Sequence, residues 1–268
     1  MSPTIPKCLP TPRDIERWVP ANLNEVVGCA DLKAHFFDQI RLDARGVNTL
    51  VRGEPGTGKT ASVKAFVRSL MCPNLDDTTF LPCGSCSTCL NFDVRFSDEG
   101  LFAIAQPRVS HGKDPLNFFP INCGVVTETE LKKILSGRAE YTGRFLIYLD
   151  EVHRIVRRQM DHLLLKPLEE MDALWIASSA QPDELGGMFL RRFSAHLSTT
   201  LPALQELTEF LDARCKDWQI AVDDAATLTL LARRSGRITA SAISVLALAA
   251  GTLRRCLDRD LVIRHFSA

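Results

Sequence analysis

Eight residues, Gly53-Glu54-Pro55-Gly56-Thr57-Gly58-Lys59-Thr60, fit the spacing of a glycine, four residues and Gly-Lys-Thr that wraps a nucleotide's phosphates. Phosphate oxygens need several backbone N–H groups aimed at one point, and glycine lets the chain make that turn without a Cβ in the way. In such a P-loop, Lys59 reaches the β- and γ-phosphates, Thr60 holds Mg²⁺ through its hydroxyl, and the helix opening at Lys59–Thr60–Ala61 turns its positive end to the anion. The alternative is a Gly/Pro turn that fits by coincidence. Against it stands the context: Val47, Leu50 and Val51 read as a strand before the loop. Thr60 to Met71 reads as a helix after it, with Val63, Phe66, Val67 and Leu70 at helical spacing.

A second set of chemistry-bearing residues is Phe145-Leu146-Ile147-Tyr148-Leu149-Asp150-Glu151, an apolar strand ending in two carboxylates. Behind a P-loop this is the Walker B pattern, with Asp150 in the Mg²⁺ shell and Glu151 polarising the attacking water. The third set is Cys72, Cys83, Cys86 and Cys89. Four soft thiolates at this spacing suit a closed structural Zn²⁺ site over about 72–89, and an iron–sulfur cluster is the competing occupant. Cys8, Cys29, Cys123, Cys215 and Cys256 show no such spacing and read as separate thiols.

These residues need a scaffold of alternating strands and helices. Leu116 to Asn122 and Leu174 to Ser179 read as further strands, the latter ending in hydroxyls at Ser178-Ser179. Thr127 to Leu135 reads as a helix capped by Thr127, with Glu128 and Glu130 in its first turn. His153 to Glu170 reads as one helix, apolar along Val156, Met160, Leu163, Leu164 and Leu168, and basic along Arg154, Arg157 and Arg158. A solvated face is the plain reading of that stripe. Ser97 to Pro115 reads as a long connection. Beyond Leu201-Pro202 the pattern turns to helix without strand: Ala203–Cys215, Asp223–Arg234 and Thr239–Leu257. The expected domains are a nucleotide-binding core over 1–201 and a helical domain over 202–268.

Composition bounds the class. The 268 residues are 46% apolar and 24% charged, with 32 basic and 32 acidic side chains, so any nucleic-acid contact must come from a local patch. No apolar run is long enough to span a bilayer, and Met1 to Pro12 does not resemble a signal peptide. The expectation is a cytoplasmic protein without membrane contact, whose nine cysteines stay reduced.

Together the P-loop, the cysteine array, Asp150-Glu151-Val152-His153, the run Leu164 to Glu170 and the serine-ended strand resemble an AAA+ family, the bacterial DNA polymerase III clamp-loader ATPase (gamma/tau). The resemblance runs from about Arg17 to Gly251. It implies an α/β fold: an AAA+ P-loop core with a parallel five-stranded sheet, a zinc-module insertion and a small three-helix lid. It also implies ATP, Mg and Zn as cofactors, and an ATPase working in a homo- or hetero-oligomer on DNA or a sliding clamp in replication. Glu25 to Gly28 looks like the stretch that packs Val27 and Gly28 against adenine. The resemblance puts a γ-phosphate sensor at Ser179, an arginine finger at Arg192, and DNA-facing residues at Arg157 and Arg158. The lid's second sensor would be an arginine three residues after its glycine, whereas here Arg237 directly follows Gly236. A collar domain would follow the lid in that family, and the sequence stops at Ala268. That raises a second expectation, an assembly or regulatory ATPase of a mobile element or defence system that loads no clamp.

Overall fold

The computed structural model describes residues 9–43, 46–95, 116–136 and 143–267; the expected Ser97–Pro115 connection lies outside them. Along the chain run α1 (Pro12–Glu16), α2 (Ala30–Arg41), β1 (Thr49–Arg52), α3 (Lys59–Met71), α4 (Ser87–Arg95), β2 (Leu116–Asn122), α5 (Glu128–Ser136) and β3 (Arg144–Asp150). They are followed by α6 (His153–Arg157), α7 (His162–Glu170), β4 (Leu174–Ser179), α8 (Gly187–Leu190) and β5 (Ala195–Ser198). The last elements are α9 (Leu204–Asp217), β6 (Ala221–Val222), α10 (Ala225–Arg234), α11 (Thr239–Gly251), β7 (Cys256–Leu257) and α12 (Arg259–His265). None of the described helices is long and apolar enough to cross a membrane.

Residues 20–200 form one compact unit. Its five strands are all parallel, in the order β2-β3-β4-β1-β5. Parallel strands with helices on both faces are buried on both, and every residue of β4 is buried, from the apolar Leu174–Ala177 to the hydroxyls of Ser178 and Ser179. One core cluster centres on α3, where Phe66 stacks on Phe36 of α2 with centroids 4.5 Å apart. A second lies around Trp175, Leu149, Leu164 and Phe189. At roughly 2 kcal/mol for each large side chain taken fully out of water, these layers hold the strand ends rigid. A ligand in such a sheet sits beyond the carboxyl ends of the strands, where connections part to opposite faces. Here that point is the end of β1, inserted between β4 and β5.

The expected helix from His153 to Glu170 is two helices. Gln159 adopts the left-handed conformation (φ 57°), and the Met160 N–H reaches back to Ile155 O, closing α6 before α7 begins. Arg154 and Arg157 lie within α6 and Arg158 is its cap residue, so the three exposed arginines stand together before the break, which separates them from α7.

The second compact unit combines residues 201–267 with the N-terminal 9–19. Residues 9–19, expected with the nucleotide-binding core, group with the helices instead, because Ile15 and Trp18 pack there. Ile15 is buried in the same cluster as Leu207, Leu211 and Leu246, and Trp18 meets Phe210 and Trp218. Thr11 and Asp14 cap α1 reciprocally. The three expected helices are present as α9, α10 and α11. The expectation of helix without strand does not hold: β6 and β7 pair in parallel, α11 ends at Gly251 rather than Leu257, and α12 follows.

Candidate functional site

The loop between β1 and α3 is shaped by what surrounds its first glycine. A Cβ on Gly53 would lie 2.2 Å from Thr199 Oγ1 and 2.6 Å from Thr199 O, so no larger residue fits. Thr199 Oγ1 also lies 2.6 Å from Thr57 Oγ1, which is 2.7 Å from Glu54 O, clamping the loop against the end of β5. Gly58 (φ 88°) takes the left-handed turn that starts α3. Lys59 follows, only 5% exposed, with Nζ donating to Gly53 O at 2.7 Å and Glu54 O at 2.9 Å. Burial pushes its ammonium's pKa down, and the nearby carboxylates of Glu151 and Asp150 pull it back up.

The register Arg52↔Ser179 sets the loop beside the end of β4, and Gly53 N–H donates to Ser179 O at 3.2 Å. One strand further, β3 ends in Asp150. Its Oδ1 accepts from Ser178 Oγ at 2.6 Å, Tyr148 Oη at 2.7 Å and Thr60 Oγ1 at 3.3 Å. Burial and the Asp150 charge hold the Tyr148 phenol well above its usual range, so it remains a donor. Glu151 leaves the strand in the left-handed conformation (φ 55°), with its N–H given to Ser178 Oγ at 3.2 Å. Its Oε2 lies 3.3 Å from Nε2 of the buried His153, whose Nδ1 is 3.3 Å from Ser179 Oγ. Cys123 is fully buried nearby, and burial with the two carboxylates pushes its thiol well up.

Lys59, Thr60, Asp150, Glu151 and Ser179 are thus brought to one edge of the sheet. Thr60 and Asp150 converge as a hydroxyl and a carboxylate, the oxygen donors a Mg²⁺ ion takes alongside phosphates. Tyr148 and Thr199 are site residues that the sequence pattern does not single out, and His153, quoted there only within the Asp150–His153 run, proves to stand between Glu151 and Ser179. A signal for Tyr148 is nevertheless present: a polar-tipped aromatic in an otherwise apolar buried strand. Val27 and Gly28 precede α2, and the neighbouring Cys29 Sγ lies 3.5 Å from Thr57 O, which ties that segment to the loop.

The four cysteines come together away from this edge. Cys72 caps the far end of α3, and Cys86 and Cys89 flank the start of α4; the four sulfurs lie within 4.8 Å of one another. Backbone N–H groups of Cys83, Cys86 and Cys89 point at the sulfurs of Cys72, Cys83 and Cys86 at 3.3–3.4 Å. Sulfurs about 2.3 Å from a tetrahedral Zn²⁺ are a little under 4 Å apart, so the set fits that ion. Backbone bonds from Ser85 and Cys86 lower the Cys83 thiol to about 6. No disulfide joins the described cysteines.

Two of the expected arginines, Arg157 and Arg192, are held in ion pairs. Arg157 donates to both carboxylate oxygens of Glu184 (2.6 and 2.5 Å) and to Gln181. Arg192 is largely buried, paired with Glu169 at 2.5 Å and bonded to the carbonyls of Met188 and Leu165, while Arg191 beside it is exposed. Arg158 is exposed, and Arg237 is an exposed left-handed residue (φ 63°) within the helical unit.

Residues 49–201 match the family described as "ATPase family associated with various cellular activities (AAA)". Among curated relatives, the DNA polymerase III subunit gamma/tau of Mycobacterium tuberculosis (H37Rv) is 26% identical over 235 residues, covering 86% of this chain and 37% of that protein. The tau subunit of Escherichia coli K12 is 26% identical, covering 85% and 33% respectively. The chain thus spans about a third of the length of these relatives. In fold it is similar to the Thermotoga maritima RuvB Holliday junction branch migration motor, with a TM-score of 0.64 at 16% identity over 94% of this chain and 72% of that one.

Proposed function

The chain belongs to the AAA family of ATPases, and from that premise we propose that it binds Mg·ATP at the end of β1 and hydrolyses it as one subunit of an oligomeric motor resembling a clamp loader. The observation that carries this reading is the convergence of Thr60, Asp150 and Glu151 beside the loop that holds Lys59.

Lys59 exchanges its carbonyl partners for phosphate oxygens, and the N–H groups of Gly56 to Ala61 complete the cradle. Thr60 and Asp150 would hold Mg²⁺, an ion that would supply neutralising charge at the phosphates. Glu151 orients the attacking water, and Ser179 donates its hydroxyl to the terminal phosphate. Arg192 is our candidate for a finger reaching a neighbouring subunit's ATP, which requires it to leave Glu169. Arg237 is the candidate second sensor, Val27 and Gly28 the adenine contacts, and Cys72, Cys83, Cys86 and Cys89 the ligands of a structural zinc. The core we assign to residues 20–200 and the lid to the helical unit. Because the relatives are named as DNA polymerase III subunits, we place the activity in the cytoplasm, on DNA or a sliding clamp in replication, with Arg157 and Arg158 facing the DNA.

The test is the oligomeric state and ATPase rate with and without an unhydrolysable ATP analogue and primed DNA. Assembly on the analogue and stimulation by DNA support the motor. A monomer with a rate indifferent to DNA contradicts it.

A further inference from the structure

His153 lies in the core with 3% of its surface exposed, yet both ring nitrogens meet polar groups of the site. Nε2 faces Glu151 Oε2 and Nδ1 faces Ser179 Oγ, each at 3.3 Å. The chemistry of the partners sets the tautomer. A carboxylate only accepts, so Nε2 must carry the hydrogen; a neutral imidazole then has a lone pair at Nδ1, and Ser179 must be the donor. Burial favours that neutral form, against the pull of Glu151. The Gln181 N–H donates to Ser179 Oγ at 3.1 Å, which occupies the hydroxyl's accepting side and leaves its hydrogen for Nδ1.

We propose that His153 is a positioning residue linking Ser179 to Glu151, such that capture of the Ser179 hydroxyl hydrogen by the terminal phosphate of bound ATP loosens His153's hold on the Glu151 carboxylate. A serine hydroxyl has one hydrogen, so it serves the imidazole or the phosphate, not both. When it turns to the phosphate, Nδ1 becomes a buried acceptor without its donor, and the ring's resting position loses half of its anchoring. Glu151 then turns to the attacking water only when a third phosphate is present. No bond to carbon or phosphorus is made or broken in this step, and no proton leaves the chain. One hydrogen bond is exchanged for another. The inference rests on the ATPase reading above and adds to it how Glu151 is held back in the ADP state.

The experiment follows the two ring nitrogens of His153 by ¹⁵N NMR in the full chain, with nucleotide occupancy measured on the same sample by calorimetry. Mg²⁺ with an imido-linked ATP analogue should move the Nδ1 resonance, Mg·ADP at equal occupancy should not, and Ser179→Ala should abolish the difference between the two. A structural histidine alone would respond to both nucleotides alike. Kinetics give a second readout: the loss of kcat on Ser179→Ala should differ at least about threefold between the parent and a His153→Leu background, because residues of one hydrogen-bond network are not additive. Full occupancy by the analogue with unmoved nitrogens, or equal movement with ADP, overturns the inference while leaving the ATPase reading intact. Failure of the analogue to bind overturns both.

Discussion

Thr60 Oγ1 lies 3.3 Å from Asp150 Oδ1 across 90 positions of sequence, so that the first turn of α3 and the end of β3 present one oxygen-lined corner. That corner is held by hydroxyls that are not themselves expected to touch the nucleotide. Ser178→Ala removes a 2.6 Å bond to Asp150 and the acceptor for Glu151 N–H, and Tyr148→Phe removes a 2.7 Å bond to the same oxygen. Bonds to charged groups and supports of metal ligands are typically worth a factor of about ten or more. The Mg²⁺ concentration for half-maximal ATPase should therefore rise by about tenfold in Ser178→Ala, and less in Tyr148→Phe. Superimposable Mg²⁺ titrations would show that Asp150 needs no such support.

Freshly prepared protein should carry about one zinc per chain, and Cys83→Ser or Cys86→Ser should lose it without emptying the ATP site. The metal-free protein gives a pH readout. The Cys83 thiol is lowered to about 6, so its thiolate persists above that value and is lost as pH falls through it, while burial raises Cys72 and Cys89. Iodoacetamide at pH 7 should label Cys83 first among these, with the rate falling below pH 6. Iron in elemental analysis, or fastest labelling at Cys89, would count against the zinc site.

Arg192→Ala should cut hydrolysis in the assembled state by about a thousandfold if the guanidinium acts on a neighbour's ATP. Mixing it with Lys59→Ala chains should restore activity, since one kind of mixed interface regains an intact site. Because Glu169 holds Arg192 at 2.5 Å, Glu169→Gln should not lower the rate. A parental rate for Arg192→Ala would move the finger elsewhere, and the exposed Arg191 is the next to substitute.

Joint replacement of Arg157 and Arg158 by Ala should weaken DNA binding and flatten its salt dependence, by about 0.9 in the log–log slope for each duplex phosphate that is no longer neutralised. Arg157 already has a carboxylate partner in Glu184, so Glu184→Gln should act oppositely and tighten binding. An unchanged salt slope would leave both arginines as a solvated surface.

What was legible in the sequence was what local pattern dictates. The burial of β4 from Leu174 to Ala177 reads directly as an apolar run, and the glycine spacing of 53–58 and the cysteine spacing of 83–89 carry their geometry with them. What was not legible depends on tertiary partners. Gln159 gives no glycine-like signal for the left-handed turn that splits α6 from α7. Ile15 and Trp18 reveal their allegiance only once Leu211 and Phe210 are folded beside them. The two-residue ladder of β6 with β7 is too short for a period-2 signal. In the site, the Walker residues were readable by spacing. Neither the His153 bridge between Glu151 and Ser179 nor the pairing of Arg192 with Glu169 has a sequence signature.

The central claim, that Lys59 binds phosphate while Glu151 activates water on the same ATP, is tested most directly by measuring ATP affinity and turnover together in two variants. Lys59→Ala should lose binding, because the loop's ammonium is gone. Glu151→Gln should bind Mg·ATP with parental affinity and turn it over at least about a hundredfold more slowly. Parental turnover in Glu151→Gln, or undiminished ATP binding in Lys59→Ala, would contradict the account.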